Sequence, residues 1–263
     1  EWNDTPPPLV VQPARWDQGK LEEVWTAEGV PYHEAPWGSG LVPEVRNPRT
    51  LPGFVEGGFV VQDPAQALVI RACGIPDGST ILDACAAPGG KAVALGRTAK
   101  ALLAADRSSR RVARLRGNLA RAGSGREFVL AADALHPPVD AVDAVLLDVP
   151  CLGTGTFARN PDARWRVTPD ALTRLAAEGA ELLRAVAGVV RPGGLLCFST
   201  CSLEPEENEL QVDAFLAADA RFVREPAAGA VPGELLTDAG DLAVLPQRHD
   251  TDGAFAARLR RTA

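Results

Sequence analysis

From residue 63 onward, short blocks of continuously apolar residues alternate with longer stretches whose apolar positions recur every three or four residues. TILDAC (80–85), ALLAAD (101–106), EFVLAAD (127–133), AVLLDVP (144–150) and LLCFSTC (195–201) are short and lack in–out alternation. They read as strands covered on both faces. DPAQALVIRACG (63–74) reads as a helix, with Asp63 as its N-cap and Pro64 in its first turn. An arginine-rich helix is expected over roughly 108–122. Leu172, Leu175, Leu182, Leu183, Val186 and Val190 follow the helical period, with RPGG (191–194) as the stop. EENELQVDAFLA (206–217) is the next helix, and DLAVLP (241–246) and GAFAARLRR (253–261) are strand-like. Such alternation predicts an α/β fold, a Rossmann-like, doubly wound and mostly parallel sheet.

The first fifty or so residues differ. They are short polar pieces rich in proline, and they hold four of the five tryptophans. LVVQP (9–13) reads as a brief strand and DQGKLEEVWTAEG (17–29) as a short amphipathic helix. The expected organisation is a small α+β subdomain over residues 1–52 and a larger domain over residues 53–263. A chain of 263 residues, 46% hydrophobic, can bury one substantial core with such an appendage. No apolar run approaches the roughly eighteen residues that span a bilayer. The start, EWNDTPPPLV, has neither a signal-peptide nor a transit-peptide pattern, so no membrane partner is expected. Methionine is absent throughout, which reads as a fragment or processed form lacking an upstream domain.

Charge and cysteine usage narrow the picture. A net charge of −7 argues against a nucleic-acid partner, yet nine basic residues and one acid, Asp106, lie between Arg97 and Arg126. That stripe is either a surface for a phosphate backbone or a solvated helix face. Five cysteines, with no CxxC pair and no histidine cluster, fit neither a disulfide framework nor a structural metal site. A cytoplasmic protein without a metal is expected.

In sheets of this kind ligands sit beyond the carboxyl ends of the strands. The first such end reads DACAAPGGKA (83–92), where small residues and two glycines let a backbone turn approach a ligand. It is neither G-x-G-x-x-G nor a phosphate loop, and alone it could be a plain strand-to-helix turn. Other strand ends carry Asp106, Asp133, Asp148 with Cys151 close behind, and Thr200-Cys201. Asp106 is placed to hydrogen-bond ribose hydroxyls. Any one acid could be a solvated strand end, but together they describe a site for a nucleoside-containing, partly cationic cofactor such as S-adenosylmethionine.

These strings resemble the Sun/Nop family of RNA cytosine-5 methyltransferases, nearest to the bacterial enzyme of the small ribosomal subunit, without its N-terminal NusB-like domain. LDACAAPGGK resembles the family's cofactor loop, DVPCLGTGT (148–156) its proline-cysteine motif and FSTCSLEPEENE (198–209) its threonine-cysteine motif. GGFVVQDPAQ (57–66), RNPDARWR (159–166) and QRHDTDGAFAARLRR (247–261) support it. The resemblance implies a class I methyltransferase. Cofactor contacts carry over to Cys85, Ala86, Ala87, Pro88, Gly89, Gly90, Lys91, Asp106, Asp133 and Asp148. It also implies Cys201 as the thiolate that adds to cytosine C6, Cys151 as the cysteine that helps release the product, and Asp148 as the partner of the pyrimidine edge. For Lys91 the alternative is helix-start packing with a solvated head.

Ala92 and Leu152 depart from the family's usual residues without removing a reactive group, and LVVQPAR (9–15) replaces its Arg-x-Asn-rich strand. Cys73 and Cys197 read as core filler. Arg159, Asn160, Arg164 and Arg166 either meet RNA phosphates or form a solvated turn. The expected partner is RNA, ribosomal rather than transfer RNA, bound by a monomer. An idle RNA-binding assembly factor is the reading from another class.

Overall fold

In the computed structural model, which describes residues 6–263, the chain opens on a four-stranded antiparallel sheet. Residues 1–5, part of the start read above for a leader signal, lie outside the described residues. Strand β1 (Val11–Pro13) precedes helix α1 (Gln18–Ala27), β2 (Tyr32–Glu34), β3 (Leu41–Pro43) and β4 (Phe59–Val61), in the sheet order β2-β3-β1-β4. Asp17 caps α1 by accepting the Lys20 N–H. Its buried face packs Leu21 and Trp25 against Val11, Leu41 and Phe59, with the Tyr32 and Phe59 rings edge-on to Trp25.

The larger part begins with α2 (Pro64–Cys73), where Asp63 accepts the Ala65 N–H at 2.9 Å, the cap expected from the sequence. Then follow β5 (Thr80–Asp83), α3 (Gly90–Gly96), β6 (Ala101–Asp106), α4 (Ser109–Ala122), β7 (Glu127–Ala131) and β8 (Val142–Asp148). The second half holds α5 (Pro169–Ala187), β9 (Val190–Thr200), α6 (Glu209–Ala218), β10 (Phe222–Arg224), β11 (Leu242–Val244), the single turn α7 (Pro246–His249) and β12 (Ala254–Arg261). The strand order is β10-β12-β9-β8-β5-β6-β7, with β11 also paired to β12. The run from β9 to β7 is parallel, and the β12 pairings are antiparallel. Leu68, Val93 and Leu115 from α2, α3 and α4 cover one face over Ile81, Leu102 and Leu146. Leu182, Val186, Val212 and Phe215 from α5 and α6 cover the other, over Leu82, Val145 and Phe198. With both faces covered, the strands need the continuous apolar runs seen in the sequence.

Chain direction across the sheet reverses between β5 and β8, because β6 and β7 continue to one side and β9 to the other. That reversal opens a crevice at the carboxyl ends of β5 and β8.

Three expectations are corrected. Val190 keeps the helical period of α5 but belongs to β9: the helix ends at Ala187, and the Val189 carbonyl accepts the Val142 N–H at 2.8 Å. RPGG does not stop the helix. It bulges within β9, where Val142 pairs with Val190 and Ala144 with Leu195. Asp133 lies beyond its strand rather than at its end, since β7 stops at Ala131, and its carboxylate accepts the Leu135 N–H at 3.0 Å. No helix among the described residues is long and apolar enough to cross a membrane.

Candidate active site

The switch-point crevice holds a cavity of about 530 Å³, lined by Gln66, Asp83, Lys91, Asp148, Arg159 and Cys201 among others. Its floor is the turn from β5 to α3. Gly89 has φ +112°, and a Cβ there would stand 2.9 Å from Leu115 Cδ1, so glycine is required for the backbone to pass. Lys91 follows in the first turn of α3. Its Nζ donates to Asp148 Oδ2 at 2.8 Å and to Gln66 Oε1. Asp148 Oδ1 accepts the Ser199 hydroxyl at 2.7 Å. Burial works to neutralise Lys91, but Asp148, by charge and hydrogen bond, together with nearby Cys201 and Asp83, holds the ammonium above its usual range. A solvated head is therefore excluded: the Lys91 side chain is only 12% exposed.

The two motif cysteines meet across the crevice wall, with Cys151 Sγ and Cys201 Sγ 3.4 Å apart. They come from loops after β8 and β9, and those loops are sewn together by backbone contacts. The Gly155 N–H donates to the Cys201 carbonyl at 3.0 Å, and the Gly253 N–H to the Gly155 carbonyl at 2.7 Å. A Cβ on Gly155 would lie 2.7 Å from Gly253 Cα and 2.8 Å from the Cys201 carbonyl, so any side chain would push the loops apart. The Leu152 N–H, next to Cys151, donates to both carboxylate oxygens of buried Glu207 at 3.1 and 3.2 Å. Burial pushes that carboxyl's pKa up.

Of the pair, Cys201 lines the cavity and Cys151 stands outside its lining. Either thiol can donate across this contact; with Cys151 as the donor, it lowers the pKa of Cys201, aided by the charge of Lys91 and opposed by burial and by Asp148. Cys151 itself is held well above the usual thiol range by the same hydrogen bond and by burial. Cys73 and Cys197 are buried, and the Cys197 S–H points at the Cys73 carbonyl at 3.7 Å, which agrees with core filler.

The expected cofactor residues fall around two adjoining spaces. Cys85 to Lys91 and Asp148 line the large cavity; Asp106 and Asp133 line a narrow cleft of about 20 Å³, and Cys85 faces both. Burial among Asp83, Asp148 and Asp106 pushes the Cys85 thiol up to about 12, so it stays protonated and unreactive. Arg111 closes on Asp106 at 3.2 Å and Arg107 on Glu178 at 2.8 Å along the narrow cleft.

Asp83, left without a role in the sequence reading, is 1% exposed with neither carboxylate oxygen hydrogen-bonded, and it lines the large cavity. Burial, then the charge of Asp148, lifts its pKa to about 8. With a pKa of about 8 this carboxyl largely holds its proton at neutral pH, and a cationic or N–H-bearing ligand beside it would favour the ionised form. A ligand with an ammonium or sulfonium centre and a ribose for Asp106 fits these residues.

The raised Asp83 pKa has a measurable consequence for stability. From about pH 4 to 8 the native state holds a proton that the unfolded chain releases, so this group's contribution falls as pH rises. Asp83→Asn is expected to remove that slope. Urea unfolding at about pH 5 and pH 8 should show the wild type losing several kcal/mol that the variant keeps. Equal slopes in the two proteins would contradict it.

The basic stripe resolves into separate duties. Arg121 of α4 donates to the Phe54 and Phe59 carbonyls, and Arg97 at the end of α3 to that of Pro13, tying the small sheet to these two helices. Arg110, Arg114 and Arg116 are exposed on α4. Arg159 is not turned outward to solvent: Asp63 holds it at 2.7 Å and Asp252 at 3.0 Å.

The strand order, the switch-point crevice and the acids at its rim define a Rossmann-like α/β fold with a ligand site at the switch point. A solved structure described as a methyltransferase homolog from Pyrococcus horikoshii shares the architecture, with a TM-score of 0.82 at 25% identity over 99% of this chain and 88% of that one. The chain belongs to the family described as 16S rRNA methyltransferase RsmB/F, which matches residues 73–260. Ribosomal RNA small subunit methyltransferase B of Vibrio cholerae is 40% identical over 211 residues, 76% of this chain and 48% of that protein. The Synechocystis protein named probable ribosomal RNA small subunit methyltransferase B is 39% identical over 221 residues, 80% of this chain and 49% of its own length. The chain thus spans about half the length of the curated relatives it matches.

Proposed function

We propose that the chain transfers a methyl group from S-adenosylmethionine to C5 of a cytosine in small-subunit ribosomal RNA, through a covalent bond between Cys201 and C6. The observation that carries this reading is the thiol pair, with Cys201 facing the cavity beside Lys91 and Asp148 and Cys151 donating from behind it. The names of the relatives favour ribosomal RNA over transfer RNA. Asp83, the Cys85–Lys91 turn, Asp106 and Asp133 would hold the cofactor. When bound, S-adenosylmethionine supplies an electrophilic methyl group.

Cytosine C5 is a weak nucleophile until C6 is attacked. The Cys201 thiolate forms the C6–S bond, and the C5=C6 electron pair moves to C5, which can then take the methyl group. Asp148, oriented by Lys91 and Ser199, accepts a hydrogen bond from the pyrimidine edge near N3 and N4 and stabilises the protonated ring. Loss of the C5 proton to solvent returns its electron pair to C5=C6 and breaks the C6–S bond. The Cys151 S–H meets the departing Cys201 thiolate. An unpaired or flipped-out base is required for the ring to enter.

Incubation with labelled S-adenosylmethionine and deproteinised 16S ribosomal RNA or transfer RNA tests the reading. Label is expected in the ribosomal RNA as 5-methylcytosine. Label only in transfer RNA moves the substrate, and label in neither overturns the enzymatic reading in favour of an idle binding factor.

A further inference from the structure

We propose that Trp165 is a stacking platform for the nucleobase that neighbours the target cytosine in the RNA strand. The inference rests on the RNA-substrate reading above and adds a recognition site to it. Trp165 is 86% exposed. The other described tryptophans have structural duties: Trp25 is buried, Trp37 donates to Glu234, and Trp16 packs against Gly53 and Gly58. The Trp165 indole makes neither a hydrogen bond nor a ring contact with any described residue.

Its place in the fold points to the ligand. Trp165 rides on the 3₁₀ turn Pro161–Arg166, anchored inward by buried Ala163. The Arg164 guanidinium lies over the Phe157 ring at 5.7 Å, which fastens the turn beside Thr156 and Arg159, two residues of the cavity lining. The turn that carries the exposed indole thus follows directly on two residues of the cavity lining, and Arg164 and Arg166 flank the indole in sequence. Aromatic rings interleaved with cationic side chains suit single-stranded nucleic acid, because every base offers a π-face and every linkage a negative charge. Moving the target base out of its stack uncovers one face of its neighbour. An indole at the rim replaces the lost stacking partner without reading sequence.

Binding is measured by fluorescence anisotropy with an end-labelled single-stranded oligoribonucleotide containing one cytosine. Matched strands carry an abasic residue on either side of that cytosine. Trp165→Ala is expected to weaken binding by about 5- to 100-fold, and Trp165→Phe to restore most of it. The slope of log K against log salt should stay at the wild-type value in Trp165→Ala, since no phosphate contact is lost. One abasic position should cost the wild type affinity and cost Trp165→Ala nothing further. Unchanged thermal unfolding is expected in both variants, because the indole supports no packing.

Trp165→Ala binding within twofold of wild type overturns the platform and leaves the RNA reading standing. Abasic costs that add fully to the alanine cost also overturn it. A wild type that neither binds nor methylates the RNA removes the RNA reading and the platform together.

Discussion

Cys201→Ala is expected to lower methyl transfer to RNA by about 10⁴-fold or more, the scale of losing a covalent nucleophile. Only Cys201 combines a strand-end thiol facing the cavity with a lowered pKa. Cys151 cannot substitute from its position, because it stands outside the cavity lining and its thiol is held protonated. Cofactor binding should survive, since Asp83, Lys91 and Asp106 are untouched by the change. The checking measurement pairs turnover with calorimetric binding of S-adenosylmethionine. Turnover within tenfold of wild type, with binding intact, would contradict the assignment.

Cys151→Ala should fail in a different way. Its S–H hydrogen-bonds Cys201 across 3.4 Å, and that donation stabilises the thiolate both before attack and on departure. Removing it raises the pKa of the leaving thiol: less of it is ionised before attack, but the thiolate that forms is intrinsically more nucleophilic, and it is a poorer leaving group. Addition to C6 continues while elimination slows. Turnover is expected to fall by about 10²- to 10⁴-fold. A protein–RNA adduct that survives denaturation should accumulate with the variant, visible as a shifted band on a denaturing gel.

Much of this site is legible in the chain. Continuous apolar runs reveal strands covered on both faces, and a residue after such a run stands at the carboxyl edge, which is where Asp106, Asp148, Cys151 and Cys201 lie. The failures have a common cause: burial and partners are set by distant segments. Asp83 sits within the quoted loop, yet its burial and raised pKa depend on Asp148, remote in the chain, and on the other segments that line the cavity. Glu207 looks like one acid among several in EPEENE until the Cys151 loop lays the Leu152 N–H against it. Val190 satisfies a helical period but is claimed by pairing with Val142, and pairing outweighs propensity at an element's end. For Arg159 the sequence leaves a phosphate contact and a solvated turn open, and only the fold shows Asp63 and Asp252, both remote in the chain, holding it at the cavity wall. The two strand-end thiols are legible in the sequence, but their contact is not. Physically it rests on Gly155, whose missing side chain lets two loops touch.

The most direct test of the central claim is to map the cysteine that carries the nucleotide in the trapped adduct. Cys151→Ala is incubated with RNA and S-adenosylmethionine, the adduct is isolated under denaturing conditions, and its peptides are identified by mass spectrometry after nuclease and protease digestion. The account predicts a modified cytidine on the peptide containing Cys201. A stable adduct formed instead by Cys201→Ala, with the nucleotide on Cys151, would show that the two thiols have the opposite roles.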